Sequence, residues 1–196
     1  MVSIESRYTT HDLSDRELIS RIRNGEDLCF DDLFARYRDK LFFYLRHLVG
    51  NKEEAEDLLQ NVFVKAYEKF STFDARRAFS SWIYRIAHNE AVNHLKRKNR
   101  KTFLSWEDIV SSKDQLESSS KERSPHDEWI RKEVRREVKV AMERLPEKYR
   151  EVLVLRFYLD HSYDEIAAII EKPMNTVGTL LSRAKSRLLR EVSRMA

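Results

Sequence analysis

Glycine and proline are scarce in this chain, with three of each in 196 residues. Sheets and tight turns usually spend more of both, so the scarcity favours an all-α fold. Glycine occurs only at positions 25, 50 and 178, which excludes a glycine-rich phosphate-binding loop. A single cysteine, Cys29, excludes an internal disulfide and a cysteine-rich zinc site, and it fits a reducing compartment. No apolar run approaches 18 residues, and the N-terminal MVSIESRYTTHD has no signal-peptide core. The expectation is a soluble, cytoplasmic protein with no membrane insertion. Catalytic signals are missing too. His88 and His94 are six residues apart and so about 120° from sharing a helix face, which does not suit a metal site. No nucleophile–base pairing stands out, and the abundant Asp and Glu read mostly as solvated faces. The expectation is therefore no enzyme, no metal and no cofactor.

Charge is what the chain has in quantity. Charged residues make up 36%, and 37 Lys and Arg against 33 Asp and Glu leave a net charge of +4 with a pI of about 9.1. A sum this small decides nothing, so the distribution along the chain has to. The length accommodates one large or two small domains.

From Leu28, residues Phe30, Leu33, Phe34, Tyr37, Leu41, Tyr44, Leu45 and Leu48 lie on one helical face that ends at Gly50. A second helix opens in the acidic NKEEAED, suited to the positive end of a helix dipole, and carries Ala55, Leu59, Val62, Ala66 and Phe70. A polar loop, STFDARRAF, leads to a third helix in SSWIYRIAHNEAVNHLKRKNR. With a short helix near Asp15–Arg23, these make one bundle ending near Arg100. Composition then shifts: positions 102–127 hold seven serines, six acidic and three basic residues with no sustained stripe. That reads as a linker, largely unstructured by itself. A second helical block follows. Ile130, Val134, Val138, Ala141 and Leu145 are spaced for a helix stopped by Pro146, and EKYREVLVLRFYL forms another. SYDEIAAII opens with the Ser162–Glu165 spacing of a capping box. After the short turn EKPMN comes a last helix with Val177, Leu181, Ala184, Leu188 and Val192 inward. Two helices joined by a tight turn, the second one basic, form a helix-turn-helix pattern.

Two faces carry chemistry. On the third helix Ile83, Ile86, Ala87, Ala91 and Leu95 form the apolar stripe, while Trp82, Arg85, Asn89, Asn93, Lys96 and Arg100 form a second row. That row runs into a basic tail containing Arg97. A ring, amides and cations suit unstacked bases: the ring stacks, the amides read base edges, and the cations hold the backbone. A core role for Trp82 fits the same spacing. The last helix carries five cations against one acid from Leu181 to Ala196, with Thr176, Thr179, Arg183, Lys185, Arg187 and Arg190 around its polar side. A solvated amphipathic helix explains such a run by itself. Its place after a helix-turn-helix turn favours DNA contact.

The blocks AEDLLQNVFVKAYEKF and FSSWIYRIAHNEAVNHLKRK, then LPEKYREVLVLRFYLDHSYDEIAAII and NTVGTLLSRAKSRLLREV, resemble the extracytoplasmic-function (ECF) sigma factors of bacterial RNA polymerase, within the sigma-70 family. The resemblance implies two helical domains, a region 2 domain at 12–101 and a region 4 domain at 129–194, joined by a linker at 102–128. It also implies the partners: core RNA polymerase through its β and β′ subunits, promoter DNA and an anti-sigma factor. By position, Asp57, Gln60, Asn61, Val64 and Glu68 fall on the face that docks on the polymerase clamp. Lys69 to Phe73 resembles the loop that receives a flipped base of the −10 element. Asn89 and Trp82, with Arg85, Asn93, Lys96, Arg97 and Arg100, match the surface that reads and melts that element. Asn175, Thr176, Thr179, Arg183, Lys185 and Arg187 match the −35 reader. Two departures stand out: Asp74-Ala75-Arg76-Arg77 replaces a loop that often contains glycine, and Gly178 follows the Thr176-Val177 pair where a cation is common. The implied function is promoter recognition and transcription initiation by the polymerase. A stand-alone helix-turn-helix regulator and an all-helical protein-binding adaptor are the alternatives that these residues leave open.

Overall fold

The computed structural model describes residues 13–98, 136–138, 140–142 and 144–194, and among these no strand occurs. The linker expected at 102–128 and Arg100 lie outside the described residues. The first block comprises α1 (Asp15–Arg23), α2 (Cys29–Val49), α3 (Lys52–Lys69), a 3₁₀ turn (Phe70–Thr72) and α4 (Phe79–Lys98). In the second block, helical residues 136–138 and 140–142 precede α5 (Glu147–Leu153), which runs into a π turn (Val154–Tyr158), then α6 (Tyr163–Ile169) and α7 (Met174–Ser193).

Local chemistry sets the helix ends. Ser14 and Glu17 form a reciprocal capping box at the start of α1, with the Glu17 carboxylate accepting from the Ser14 amide at 2.7 Å. Asn51 caps α3 by accepting from the Glu54 amide at 2.9 Å. Gly50 closes α2 at φ 79°, a left-handed conformation that glycine adopts without a Cβ clash. The expected Ser162–Glu165 box is present at the start of α6, and Pro146 and Pro173 precede α5 and α7.

Packing in the first block follows the helical stripes. Leu33, Leu41, Tyr44 and Leu45 of α2, Ala55, Val62 and Ala66 of α3, and Ile83, Ala87 and Ala91 of α4 are fully buried. The small Ala87 and Ala91 let neighbouring helices approach α4 closely. Lys65 of α3 donates to the nearly buried Glu90 of α4 at 2.5 Å, so one charge in the bundle is paired rather than solvated. His94 bonds Glu54 at 2.6 Å and joins the C-terminal half of α4 to the start of α3.

The two blocks share one continuous core, which the sequence did not indicate. In α5 the run Tyr149, Arg150, Glu151, Val152 and Leu153 is buried throughout: the helix packs on α7, and its Glu151 bonds Tyr44 and His88 of the first block. Glu151 and Glu90 are exceptions to the expectation that the acidic residues are mostly solvated. His47 of α2 is buried as well, and its Nδ1 has no hydrogen-bond partner. Burial, reinforced by the nearby Arg150 charge, pushes its pKa down to about 3. His161 is depressed in the same direction, again chiefly by burial.

These histidines set a pH dependence. A free histidine titrates near 6.5. The folded state holds His47 neutral, so it binds fewer protons than the unfolded state below that pH. The contribution is fully present above about pH 6.5 and is lost as pH falls toward 3. Thermal melts should therefore weaken by about 2 kcal/mol between pH 6.5 and 5 for a single such group. His47→Leu should remove that share of the slope, leaving the part due to His161. An unchanged slope would show that His47 does not titrate on unfolding.

Candidate nucleic-acid and polymerase interfaces

The outward row of α3 stands clear of the bundle. Asp57, Gln60, Asn61, Val64 and Glu68 are all exposed. Val64 and Tyr67 are each 56% exposed, an unusual level for large apolar side chains side by side. Below them Phe63 stacks on Phe34 at 4.6 Å, and Tyr67 leans on Phe30 at 4.9 Å. The face thus has an apolar centre held from beneath by rings and flanked by carboxylates and amides. Tyr67 was missed in the sequence; its spacing three residues after Val64 is the signal that marks it.

The row on α4 grades from half-buried to exposed. Trp82, Arg85 and Asn89 are partly covered, while Asn93, Lys96 and Arg97 are open to solvent. Phe73, expected to meet a flipped base, is only 2% exposed. Its ring lies 5.0 Å from Trp82, 5.6 Å from Phe79 and 6.3 Å from Phe70. The Arg23 guanidinium donates to the Phe73 carbonyl at 2.5 Å and pulls the loop inward. As it stands, the Phe73 ring supports the loop from beneath. Beside it opens a cleft of about 810 Å³, walled by Ser14, Asp15, Arg16 and Ile19 on one side and by Ala75 to Ser80 on the other. Arg16, Arg76 and Arg77 give its rim a positive character. Arg76 is held by Asp74 at 3.0 Å, and these hydrogen bonds keep the Asp74 carboxyl below its ordinary range. Lys69 is exposed at the approach to this loop.

In the second block Val177, Leu181 and Ala184 anchor α7 inward. Asn175, Thr176, Thr179, Arg183, Lys185 and Arg187 are exposed. The cations are not equivalent. Lys185 lies over the Phe157 ring at 5.0 Å and Arg187 over Tyr149 at 5.0 Å, so both are held against their own domain. Their positions on the helix wheel flank the buried stripe, whereas Thr179, Arg183 and Arg190 lie opposite it. Arg183 is thus an exposed cation that points away from the body of its own domain. Gly178 has ordinary space around it: an added Cβ would sit 3.9 Å from the Tyr163 ring, with no positive φ to demand glycine. His88 and His94 are bonded to carboxylates within the fold, and no group of ligands able to hold a metal occurs among the described residues.

This geometry first defines a class: a helical protein with a bundle as its first block and a helix-turn-helix in its second. Family comparison then narrows it. Residues 33–101 match sigma-70 region 2, and residues 135–188 match sigma-70 region 4. The chain is 30% identical to the ECF RNA polymerase sigma factor SigW of Bacillus subtilis, covering 90% of this chain and 96% of that one. Among solved structures, CnrH in complex with the cytosolic domain of CnrY shares the fold at TM-score 0.66 and 22% identity, covering 93% of this chain and 99% of that one. The sigma factor RpoE of Bartonella quintana, solved with the anti-sigma factor NepR, does so at 0.60 and 22%, covering 84% and 96%. The chain belongs to the ECF sigma factors of the sigma-70 family. No helix among the described residues is long and apolar enough to cross a membrane.

Since nothing crowds Gly178, replacing it by alanine should stabilise α7 by about 1 kcal/mol, the helix-propensity difference. In a chain of this size that corresponds to roughly 2–4 °C in Tm. A lower Tm for Gly178→Ala would mean that the Tyr163 contact is tighter than the geometry indicates.

Proposed function

We infer that this protein binds core RNA polymerase and directs it to promoters as a sigma factor, with no catalysis of its own and in the cytoplasm. The observation that carries this reading is the pairing, on one chain, of the ring–amide–cation row on α4 with the outward row of α7. The first, region 2 domain at 12–101 would read and melt the −10 element through Trp82, Arg85, Asn89, Asn93, Lys96, Arg97 and the cleft beside Phe73. The second, region 4 domain at 129–194, joined to it by a linker at 102–128, would read the −35 element through Thr179 and Arg183. Lys185 and Arg187 would take phosphates from their aromatic perches. The α3 face from Asp57 to Glu68, with Tyr67 at its centre, suits the β′ clamp, and the β subunit would receive the second domain. The relative solved with NepR supports an anti-sigma factor as a further partner.

A holoenzyme assay separates these roles. Asp57→Ala should weaken affinity for core polymerase while helix content by circular dichroism stays unchanged. Wild-type affinity in that variant would remove the clamp assignment. Asn89→Ala should leave promoter binding intact but reduce permanganate reactivity of unpaired thymines, because an amide that reads an extruded base is lost.

Transcription of a randomised −35 library at two salt concentrations tests the second domain. Arg183→Ala should cost about 1–3 kcal/mol and relax preference at one or two positions. Arg190→Ala should weaken all sequences evenly and lessen the salt dependence. An unchanged preference in Arg183→Ala would reduce α7 to an electrostatic clamp.

A further inference from the structure

Gly178 is a residue that the fold does not ask for. It sits in the first half of α7, in a helix where only proline would be a poorer former. Its φ is not positive, and an added Cβ would meet only the Tyr163 ring, with Cε1 at 3.9 Å, an ordinary contact. Neither backbone conformation nor close packing within the chain requires glycine there. What the glycine leaves is a gap in the surface of α7.

The walls of that gap are held in place. On the helix wheel Gly178 falls between the buried Val177 and the exposed Thr179, and Ser182 follows one turn later. One wall is the ring of Tyr163, the first residue of α6, which is 39% exposed. The Arg156 guanidinium lies over this ring at 5.6 Å and itself donates to the His161 carbonyl at 2.9 Å, so the ring is fixed before any ligand arrives. On the other side is Thr179. Its hydroxyl donates to the Asn175 carbonyl at 2.9 Å. That proton is spent on the helix backbone, and the methyl group is what remains to offer a partner. An aromatic CH, a methyl group and a bare Cα thus line the gap, which is apolar although the helix face around it is polar.

In a major groove, the apolar group of matching size is the 5-methyl of thymine. We propose that the Gly178 gap, walled by Tyr163 and Thr179, is a thymine-methyl site within the −35 reader. The chain then selects thymine at one position of that element through a contact without a hydrogen bond. This rests on the promoter-reading function above. The register follows from the helix. Arg183 lies one turn beyond Thr179, about 6 Å along the axis at 1.5 Å per residue. With base pairs about 3.4 Å apart, the thymine falls within about two base pairs of the base that Arg183 contacts.

Replacing thymine by uracil removes the methyl group and nothing else. The templates are −35 elements selected by the holoenzyme from a randomised library, with each thymine on either strand replaced in turn by deoxyuridine. Holoenzyme with the wild-type chain should bind one such template about fourfold more weakly, the worth of one buried methyl group. That thymine should lie within about two base pairs of the position whose preference Arg183→Ala relaxes. Gly178→Arg fills the gap with a better helix former and should bind the thymine and uracil templates alike. Tyr163→Ala should shrink the methyl effect and leave the preference at the Arg183 position in place. Three results would overturn the site: a wild type indifferent to every replacement, no thymine selected at that distance from the Arg183 position, or a methyl effect unchanged in both Gly178→Arg and Tyr163→Ala. A preference that still depends on Arg183 would in each case leave the sigma function standing. Absence of any −35 preference in the wild type would instead sink the promoter-reading function, and the site with it.

Discussion

Helix α4 has to satisfy three neighbours at once, and the rest of the structure follows from how it does so. One side, Ile83, Ala87 and Ala91, is fully buried against the bundle. A second, Ser80, Tyr84 and His88, meets the other block. The third keeps Trp82, Arg85, Asn89, Asn93 and Lys96 toward solvent. A helix with three occupied faces cannot be strongly amphipathic, and its polar residues must be paired wherever a neighbour covers them. Glu90 finds Lys65, His94 finds Glu54, and His88 finds Glu151. These pairings fix the rotation of α4 about its axis, and with it the direction in which the nucleic-acid row points.

The same principle distinguishes cations held over rings of their own domain from those that are not. A lysine over a ring or an arginine over a tyrosine is partly ordered before any ligand arrives, so less side-chain entropy remains to be lost on binding. Lys185 and Arg187 are in this state, and Arg183 is not. On the proposed reading, a preset pair of phosphate contacts flanking one adaptable base contact would give α7 register first and sequence preference second. The surface proposed for the −10 element is arranged differently. Phe73 is held inside an aromatic cluster, and the adjoining cleft has arginines among its lining.

Much of this was legible in the sequence, and the reasons are local. Capping residues and stripes at helical spacing marked α1 to α4, α6 and α7, because such signals act within one or two turns. The outward row of α3 was visible for the same reason: a face that avoids the core stripe is exposed in any bundle. The seam between the blocks was not legible. It depends on residues more than 60 positions apart, and each looks ordinary alone: Tyr44 as core, His88 as a polar helix residue, Glu151 as a solvated acid. The burial of Phe73 was hidden too, since an aromatic in a polar loop reads equally as ligand platform or as plug. Only the convergence of Phe70, Phe79, Trp82 and the Arg23 hydrogen bond decides between them.

The central claim is that one chain reads two separated DNA elements, and only as part of the polymerase. Hydroxyl-radical footprinting on a promoter selected by the holoenzyme addresses it directly. With core polymerase, protection attributable to this protein should fall in two tracts about 25 base pairs, roughly two and a half helical turns, apart. Without core, both should vanish. A single tract or a symmetric pair of half-sites protected by the free protein would contradict the account and identify a stand-alone regulator instead.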